Sequence, residues 1–301
     1  FGFVVNRTNS WNEDVYAAGV NSTTSFMGAL ATEATQMGLL GSNLDAKNAY
    51  DYDPWKYVVG YQSGMISTFG NHDDQFVGAS ELIFDNNMGQ TEITLGGPLD
   101  QSYGRQVRGG KNDYLINLGF NISDFLFIGA NIGITSMHYS YDEYFKEEAV
   151  NSEDFLVEYK DDQGNIISSS YFNRMKYRSG YSFSGTGCFA KFGVIVNPFK
   201  GFRVGAAFQT PTRMNISESW EDEGQTDFTG RDGKSWSSLS PIGENNWIFT
   251  SPLKANFGVA YTIGQLGTVS ADYELSNYGN LKYRSSLYTD RSTLEAINED
   301  M

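Results

Sequence analysis

The residues with the type and spacing to do chemistry fall into three sets. The first is rich in oxygen. His72-Asp73-Asp74 and Asp85-Asn86-Asn87 can be read as a calcium site, but the spacing fits no EF-hand loop, and a solvated loop accounts for them as well. The second set is charged. Asp272 and Glu274 share one face of a strand pattern and invite acid–base chemistry. Lys191, Arg203, Arg213 and Lys254 fall on matching positions, so the six together read as a network of ion pairs lining a lumen. The third set is apolar. Phe26, Met27, Leu30, Trp55, Val58 and Met65 are concentrated in an otherwise polar segment, where they either line a ligand groove or pack two helices on each other.

No nucleophilic set emerges. His72 and His138 are the only histidines, and neither has a catalytic motif around it. Gly185-Thr186-Gly187 lacks the rest of a phosphate loop, and Cys188 falls on an apolar face where a thiol is expected to be inert. The chain is therefore expected to be no enzyme and to need neither cofactor nor metal.

Composition narrows the class. The 301 residues carry 21 Lys and Arg against 36 Asp and Glu, a net charge of −15, which opposes nucleic-acid binding because phosphates need a basic surface. No apolar run approaches the roughly 18 residues of a membrane helix, a criterion blind to barrel strands, which spread apolar residues over alternate positions. Aromatic residues reach 15%, with 33 Gly and only six Pro, a β-rich usage. A single Cys excludes an intrachain disulfide.

The elements that must position these residues are strands. Residues 184–214 read as a hairpin about the turn Asn197-Pro198-Phe199-Lys200-Gly201. On its second arm Phe202, Val204, Ala206, Phe208, Thr210, Thr212 and Met214 alternate with Arg203, Gly205, Ala207, Gln209, Pro211 and Arg213. The alternation runs about twice as long as a strand of a soluble protein and suits one that crosses a bilayer. Similar patterns occupy 1–7, 113–122, 125–140, 253–263 and 268–276, so seven strands are expected. Turns near 122, 199 and 265 are short, whereas connections at 8–104, 142–170 and 217–246 are long and acidic. That asymmetry is the mark of an outer-membrane barrel with short periplasmic turns and long extracellular loops. The acidic stretches are expected to be wet surface, too charged to be buried, or to hold divalent ions beside lipopolysaccharide. Within 8–104, helices are expected near 22–40 and 53–66, the second opened by Asp53-Pro54-Trp55. Phe1-Gly2-Phe3-Val4-Val5 already reads as the inside of a strand, and seven strands cannot close a bacterial barrel. The expectation is a single barrel domain over 1–301, truncated at both ends.

The hairpins also carry a resemblance. Gly185-Thr186-Gly187, Ala190-Lys191-Phe192-Gly193-Val194-Ile195, Asn197-Pro198, Phe202-Arg203-Val204-Gly205-Ala206-Ala207 and Thr210-Pro211-Thr212 resemble the FadL-type outer-membrane transporters. Ser251-Pro252-Leu253-Lys254-Ala255-Asn256-Phe257-Gly258-Val259-Ala260-Tyr261 and Val269-Ser270-Ala271-Asp272-Tyr273-Glu274 resemble the next hairpin of that family. The resemblance implies an all-β, antiparallel up-and-down transmembrane barrel of fourteen strands, plugged by an N-terminal hatch. It also implies carriage of long-chain fatty acids or aromatic hydrocarbons. The hatch and its Asn-Pro-Ala segment are absent from this sequence, and no ligand residue transfers.

The function expected from these readings is passive transport of hydrophobic small molecules across a bacterial outer membrane. The expected partners are an apolar ligand, outer-membrane lipid and lipopolysaccharide, and no nucleic acid. A structural or accessory barrel, docked to a protein partner in a surface or secretion complex, uses the same hairpins and differs only in its loops.

Overall fold

The computed structural model describes residues 1–70, 72–85, 91–160, 165–285 and 298. The chain begins with β1 (Gly2–Ser10) and β2 (Glu13–Asn21). A helical unit follows: α1 (Phe26–Gln36), α2 (Gly41–Leu44), α3 (Trp55–Gln62), and the short strands β3 (Ile66–Thr68), β4 (Phe76–Gly78), β5 (Glu81–Asp85) and β6 (Thr91–Leu95). Long strands then dominate: β7 (Leu99–Ile122), β8 (Leu126–Ala149), β9 (Leu156–Lys160), β10 (Ile166–Phe199), β11 (Phe202–Gln209) and β12 (Arg213–Thr229). The chain continues with β13 (Ser235–Leu239), β14 (Gly243–Thr250), β15 (Lys254–Ile263), β16 (Gly267–Ser276) and β17 (Lys282–Ser285).

One antiparallel sheet organises them, in the order β1-β7-β8-β10-β11-β15-β16. The seven strands read from the sequence occupy this path. The remaining strands extend it: β2 follows β1 along β7, and β12 follows β11 along β10. In the same way β14 pairs with β12 and with β17. The strands are therefore longer than the sequence suggests. Much of 142–170 and 217–246, expected as loops, is ladder belonging to β8, β10, β12 and β14. Their acidity is tolerated because cross-strand cations meet it: Arg178 pairs with Asp142, and Arg174 Nε donates to Asp227 at 2.6 Å. The expectation that 142–162 stays unburied fails at Glu147 and Phe155, which are 1% and 0% exposed. The connection expected over 8–104 shrinks similarly, since pairing runs to Asn21 and resumes at Leu99.

Register places every residue on a face. Phe120, Ile128, Val194, Ala206, Phe257 and Tyr273 form one cross-strand row. Leu118, Ala130, Phe192, Phe208, Ala255 and Leu275 form the next. Phe120, Phe192, Phe257 and Tyr273 are each more than half exposed. We call the face bearing this apolar band the outer face and its opposite the inner face. On β8 the band runs from Leu126 to Ile134, and beyond it the outer positions turn to Ser136, His138, Ser140 and Asp142.

The alternation reverses at one level. Pairing with β10 changes from Lys191↔Gln209 to Cys188↔Arg213, so one extra residue is accommodated around Thr210-Pro211-Thr212. Pro211 cannot donate to a ladder, and Pro252 lies at the same level of the neighbouring strand, where Ser251 N donates to Thr212 O at 2.9 Å. Arg213 consequently joins Cys188 on the outer face and leaves the lumenal set expected for it. Met214, expected on the apolar face, turns inward and is 3% exposed.

The helical unit folds onto the inner face at the end far from the short turns. Ser25 caps α1, with its Oγ accepting from Met27 N at 3.1 Å, and Gly38, at φ 67°, ends the helix earlier than expected. Pro54 precedes α3, which stops at Gln62, so Met65 and Ile66 lie beyond it. Leu30 and Val58 are fully buried between the helices, with Leu44 and Phe76. Met27 and Met65 are fully buried against the sheet, with Leu99, Phe155, Phe172 and Met175. Burial of each such side chain contributes about 1.5–3 kcal/mol.

The unit comes close to the sheet at Gly224 of β12, where a Cβ would stand 2.6 Å from Ser63 Oγ and 2.8 Å from Val59 Cγ1. Gly224→Val is expected to destabilise the docking of α3 by about 1–3 kcal/mol through overpacking. Amide exchange should then show lost protection over 55–62 with β8 and β10 unchanged. Unaltered protection of α3 contradicts this packing.

Candidate functional site: the inner face beneath the helical unit

From the short-turn end upward, the inner face begins with glycine. Gly119, Gly129 and Gly193 lie in one row, continued by Ala207 and Asn256, and Gly205 pairs with Gly258. Side chains missing from these positions leave a trough of about 620 Å³, lined also by Phe127, Ile195, Lys191 and Asp272. A Cβ at Gly119 would meet nothing within 4 Å, so the room there is open.

Five of the six residues expected to form a lumenal charge network share this face: Lys191, Arg203, Lys254, Asp272 and Glu274. Lys254 Nζ reaches Glu274 at 3.2 Å, and Asn256 Nδ2 donates to the same carboxylate at 3.1 Å. Both partners are solvated, so water screens the pair and it adds little to stability. Lys191 Nζ lies 5.2 Å from the centre of the Phe189 ring. Arg203 sits nearer the short turns, and Asp272 folds beside Gly258.

Above the trough the inner face becomes aromatic. Tyr139 stacks on Phe183 with centroids 5.3 Å apart, and Tyr141 stacks on Tyr181 at 5.6 Å. Polar ends are tied off at the sides: Tyr181 Oη donates to Glu218 at 2.7 Å and Tyr103 Oη to Glu143 at 3.1 Å. The Arg105 guanidinium lies 5.0 Å over the Tyr141 ring. This ladder leads to the underside of the helical unit. Phe26 stacks on Phe145 at 4.9 Å and meets Tyr177 at 5.4 Å, while Trp55 meets Trp220 at 5.6 Å.

The six apolar residues singled out in the helical unit are thus divided. Met27, Leu30, Val58 and Met65 are consumed in packing, and Phe26 and Trp55 remain half-buried where the unit faces the ladder. The sequence reading contains no such ladder, because the strand expected over 125–140 ends beside Tyr139 and the hairpin expected over 184–214 begins after Tyr181 and Phe183. The signal was available in Tyr139 and Tyr141 set two apart, with Tyr181 and Phe183 repeating the interval. Of the oxygen-rich set, Asp73 caps α2 by accepting from Ser42 N at 3.0 Å and Ser42 Oγ at 2.6 Å. Asn86 and Asn87 lie outside the described residues.

Glu147, on the inner face of β8, fixes the helical unit to the sheet. Its Oε2 accepts from Ser25 Oγ at 2.7 Å, and its Oε1 accepts from Phe26 N at 2.6 Å and Gln101 Nε2 at 2.7 Å. Ser80 Oγ donates to Ser25 Oγ at 2.7 Å, so the helix cap and its support form one network. Glu81 lies beside it and accepts from Gly78 N at 2.7 Å. Burial raises the pKa of both carboxyls above the ordinary value, against the hydrogen bonds that hold each one ionised, and the proximity of Glu147 adds to the rise at Glu81.

A raised folded-state pKa means that the folded unit binds the proton more tightly than the unfolded chain. The stability it contributes is present below the unfolded value of 4.5 and is lost as pH rises through the folded value. Protease cleavage within 26–62 should therefore be slower near pH 5 than near pH 8, after correction for protease activity, with β8 and β10 intact throughout. Glu147→Ala leaves Phe26 N and Ser25 without their acceptor and should cost about 1–3 kcal/mol at either pH. Cleavage that is faster in acid opposes the assignment.

No family model, curated protein or solved structure matches the chain. The likeness to FadL-type transporters therefore rests on the hairpin residues alone.

Proposed function

We propose that the protein forms the wall of an outer-membrane β-barrel and passes hydrophobic small molecules, such as long-chain fatty acids, along its inner face. The observation that carries this reading is the apolar band, kept at one level across adjacent strands with polar residues beyond it. Nine residues, Leu126 to Ile134, separate the short turn from the first polar outer position. That matches the roughly 9–11 residues of a tilted membrane strand. The inner face adds the transport element. A glycine trough accommodates an acyl chain, Lys191 and Arg203 offer charge to a carboxylate, and the aromatic ladder joins the trough to the helical unit. In a bilayer the edges β1 and β16 must themselves be paired, since lipid satisfies no backbone group.

One observation favours an accessory role in a surface complex instead. Trp236, Leu239 and Ile242, at the end of the sheet far from the short turns, are each more than half exposed.

One measurement tests the membrane assignment that both readings share, and a second separates them. Phe257 belongs to the band and Asn256 to the inner face. Phe257→Arg should impair insertion into liposomes by roughly 2–4 kcal/mol and Asn256→Arg far less. Equal effects remove the membrane assignment or its register. Gly129→Trp has space to fold, since the nearest atom to its Cβ is 3.9 Å away, and it fills the trough. Uptake of a long-chain fatty acid into proteoliposomes should fall about tenfold or more with this variant. Undiminished uptake, or none by the parent protein, leaves the accessory role in its place.

A further inference from the structure

The phase reversal at Pro211 and Pro252 has a chemical result on the outer face. Arg213 pairs in register with Thr250, and Thr250 with Lys282, while Ile248 pairs with Arg284. Arg213, Lys282 and Arg284 therefore stand on one face across three neighbouring strands, within about 12 Å of one another by strand spacing and rise. All three are exposed, and among the described residues none is bridged to a carboxylate. Arg213 lies level with Cys188 and Ile134, the upper edge of the apolar band, so the cluster sits where a bilayer gives way to its headgroups.

The surface beside it is rich in hydroxyls. A hollow of about 570 Å³ opens between β8, β10, β12 and β14, lined by His138, Ser182, Ser184, Ser217, Ser219 and Asn246 together with Glu218 and Glu244. On β12, β14 and β17 the carboxylate of the outer face closest to the cluster's level is Glu244, six residues beyond Thr250, about 20 Å along the strand. Among the described residues of a chain of net charge −15, β12, β14 and β17 thus carry cations and no carboxylate at this level of the outer face.

We infer that Arg213, Lys282 and Arg284 bind the phosphates of a phosphorylated outer-leaflet glycolipid, with the adjoining hydroxyl-lined hollow receiving its sugar. The inference rests on the membrane reading above and gives the lipid contact a place. Arginine presents a planar fork that matches phosphate oxygens, and hydroxyl side chains both donate to and accept from sugar hydroxyls.

The test uses the protein extracted in detergent and offered bisphosphorylated lipid A or its dephosphorylated form, with bound lipid read by native mass spectrometry. The parent should retain the phosphorylated form about tenfold better, and Arg213→Gln/Lys282→Gln/Arg284→Gln should lose that preference. Lys200→Gln, in a short turn at the opposite end, should behave as the parent, and Arg213→Lys should keep part of the preference. Equal retention of the two lipids by the parent, or an unchanged preference in the triple variant, overturns the inference. Insertion of the parent into plain phosphatidylcholine vesicles keeps the two readings apart. A protein that inserts but shows no phosphate preference loses only this inference, whereas one that fails to insert loses the membrane reading and this one with it.

Discussion

Between Leu99 and Val196 three strands pair without a single register shift: β7 with β8, and β8 with β10. Side chains in a strand alternate strictly, so an unbroken ladder carries one decision about faces along its whole length. Because Ile128 points outward, Tyr139, Phe145 and Glu147 must all point inward, and the same parity turns Phe183, Tyr177 and Met175 to meet them. The trough, the aromatic ladder and the seat of the helical unit are therefore consequences of one constraint. A bulge in β8 between Ile134 and Phe145 would bury lysine and expose the ladder.

The neighbouring strands obey a different constraint. A prolyl nitrogen cannot join the ladder, and Pro211 and Pro252 interrupt two adjacent strands at the same level. Interruption of one strand alone would leave its neighbour out of register. Interruption of both keeps β11–β15 and β12–β14 in a common register while the pair together shifts against β10. The reversal lets Met214 and Ile216 turn inward to buried positions and sends Arg213 outward. One backbone device thus serves the interior and the outer face together.

What the sequence discloses follows from these constraints. Alternation in 113–122, 184–196 and 253–276 announces strands, faces and short turns, because one face there is apolar and the contrast is strong. Beyond the band both faces are wet or aromatic-polar, the contrast vanishes, and ladder passes for loop, which is why Glu147 falls in an expected connection. The reversal at Pro211 was hidden for a related reason. Parity counted along a single strand continues smoothly through 202–214, and only pairing with β10 shows that a residue has been gained. The helices were legible from spacing and caps. Whether their apolar residues faced each other or a ligand was not, since helical periodicity identifies a buried side without identifying what buries it.

The attachment of the helical unit combines two kinds of interaction that respond differently to displacement. Met27 and Met65 hold by apolar contact, which is non-directional and tolerates sliding. Glu147 holds by three donors aimed at two oxygens, and this works at one orientation of α1 only. A small shift that keeps the apolar contact but breaks the bonds from Ser25 and Phe26 leaves a buried carboxylate with Gln101 of β7 as its one remaining donor of the three, an unfavourable arrangement. A large shift readmits water to the carboxylate and to Ser25 and removes that penalty. Small displacements of the seated unit are therefore disfavoured.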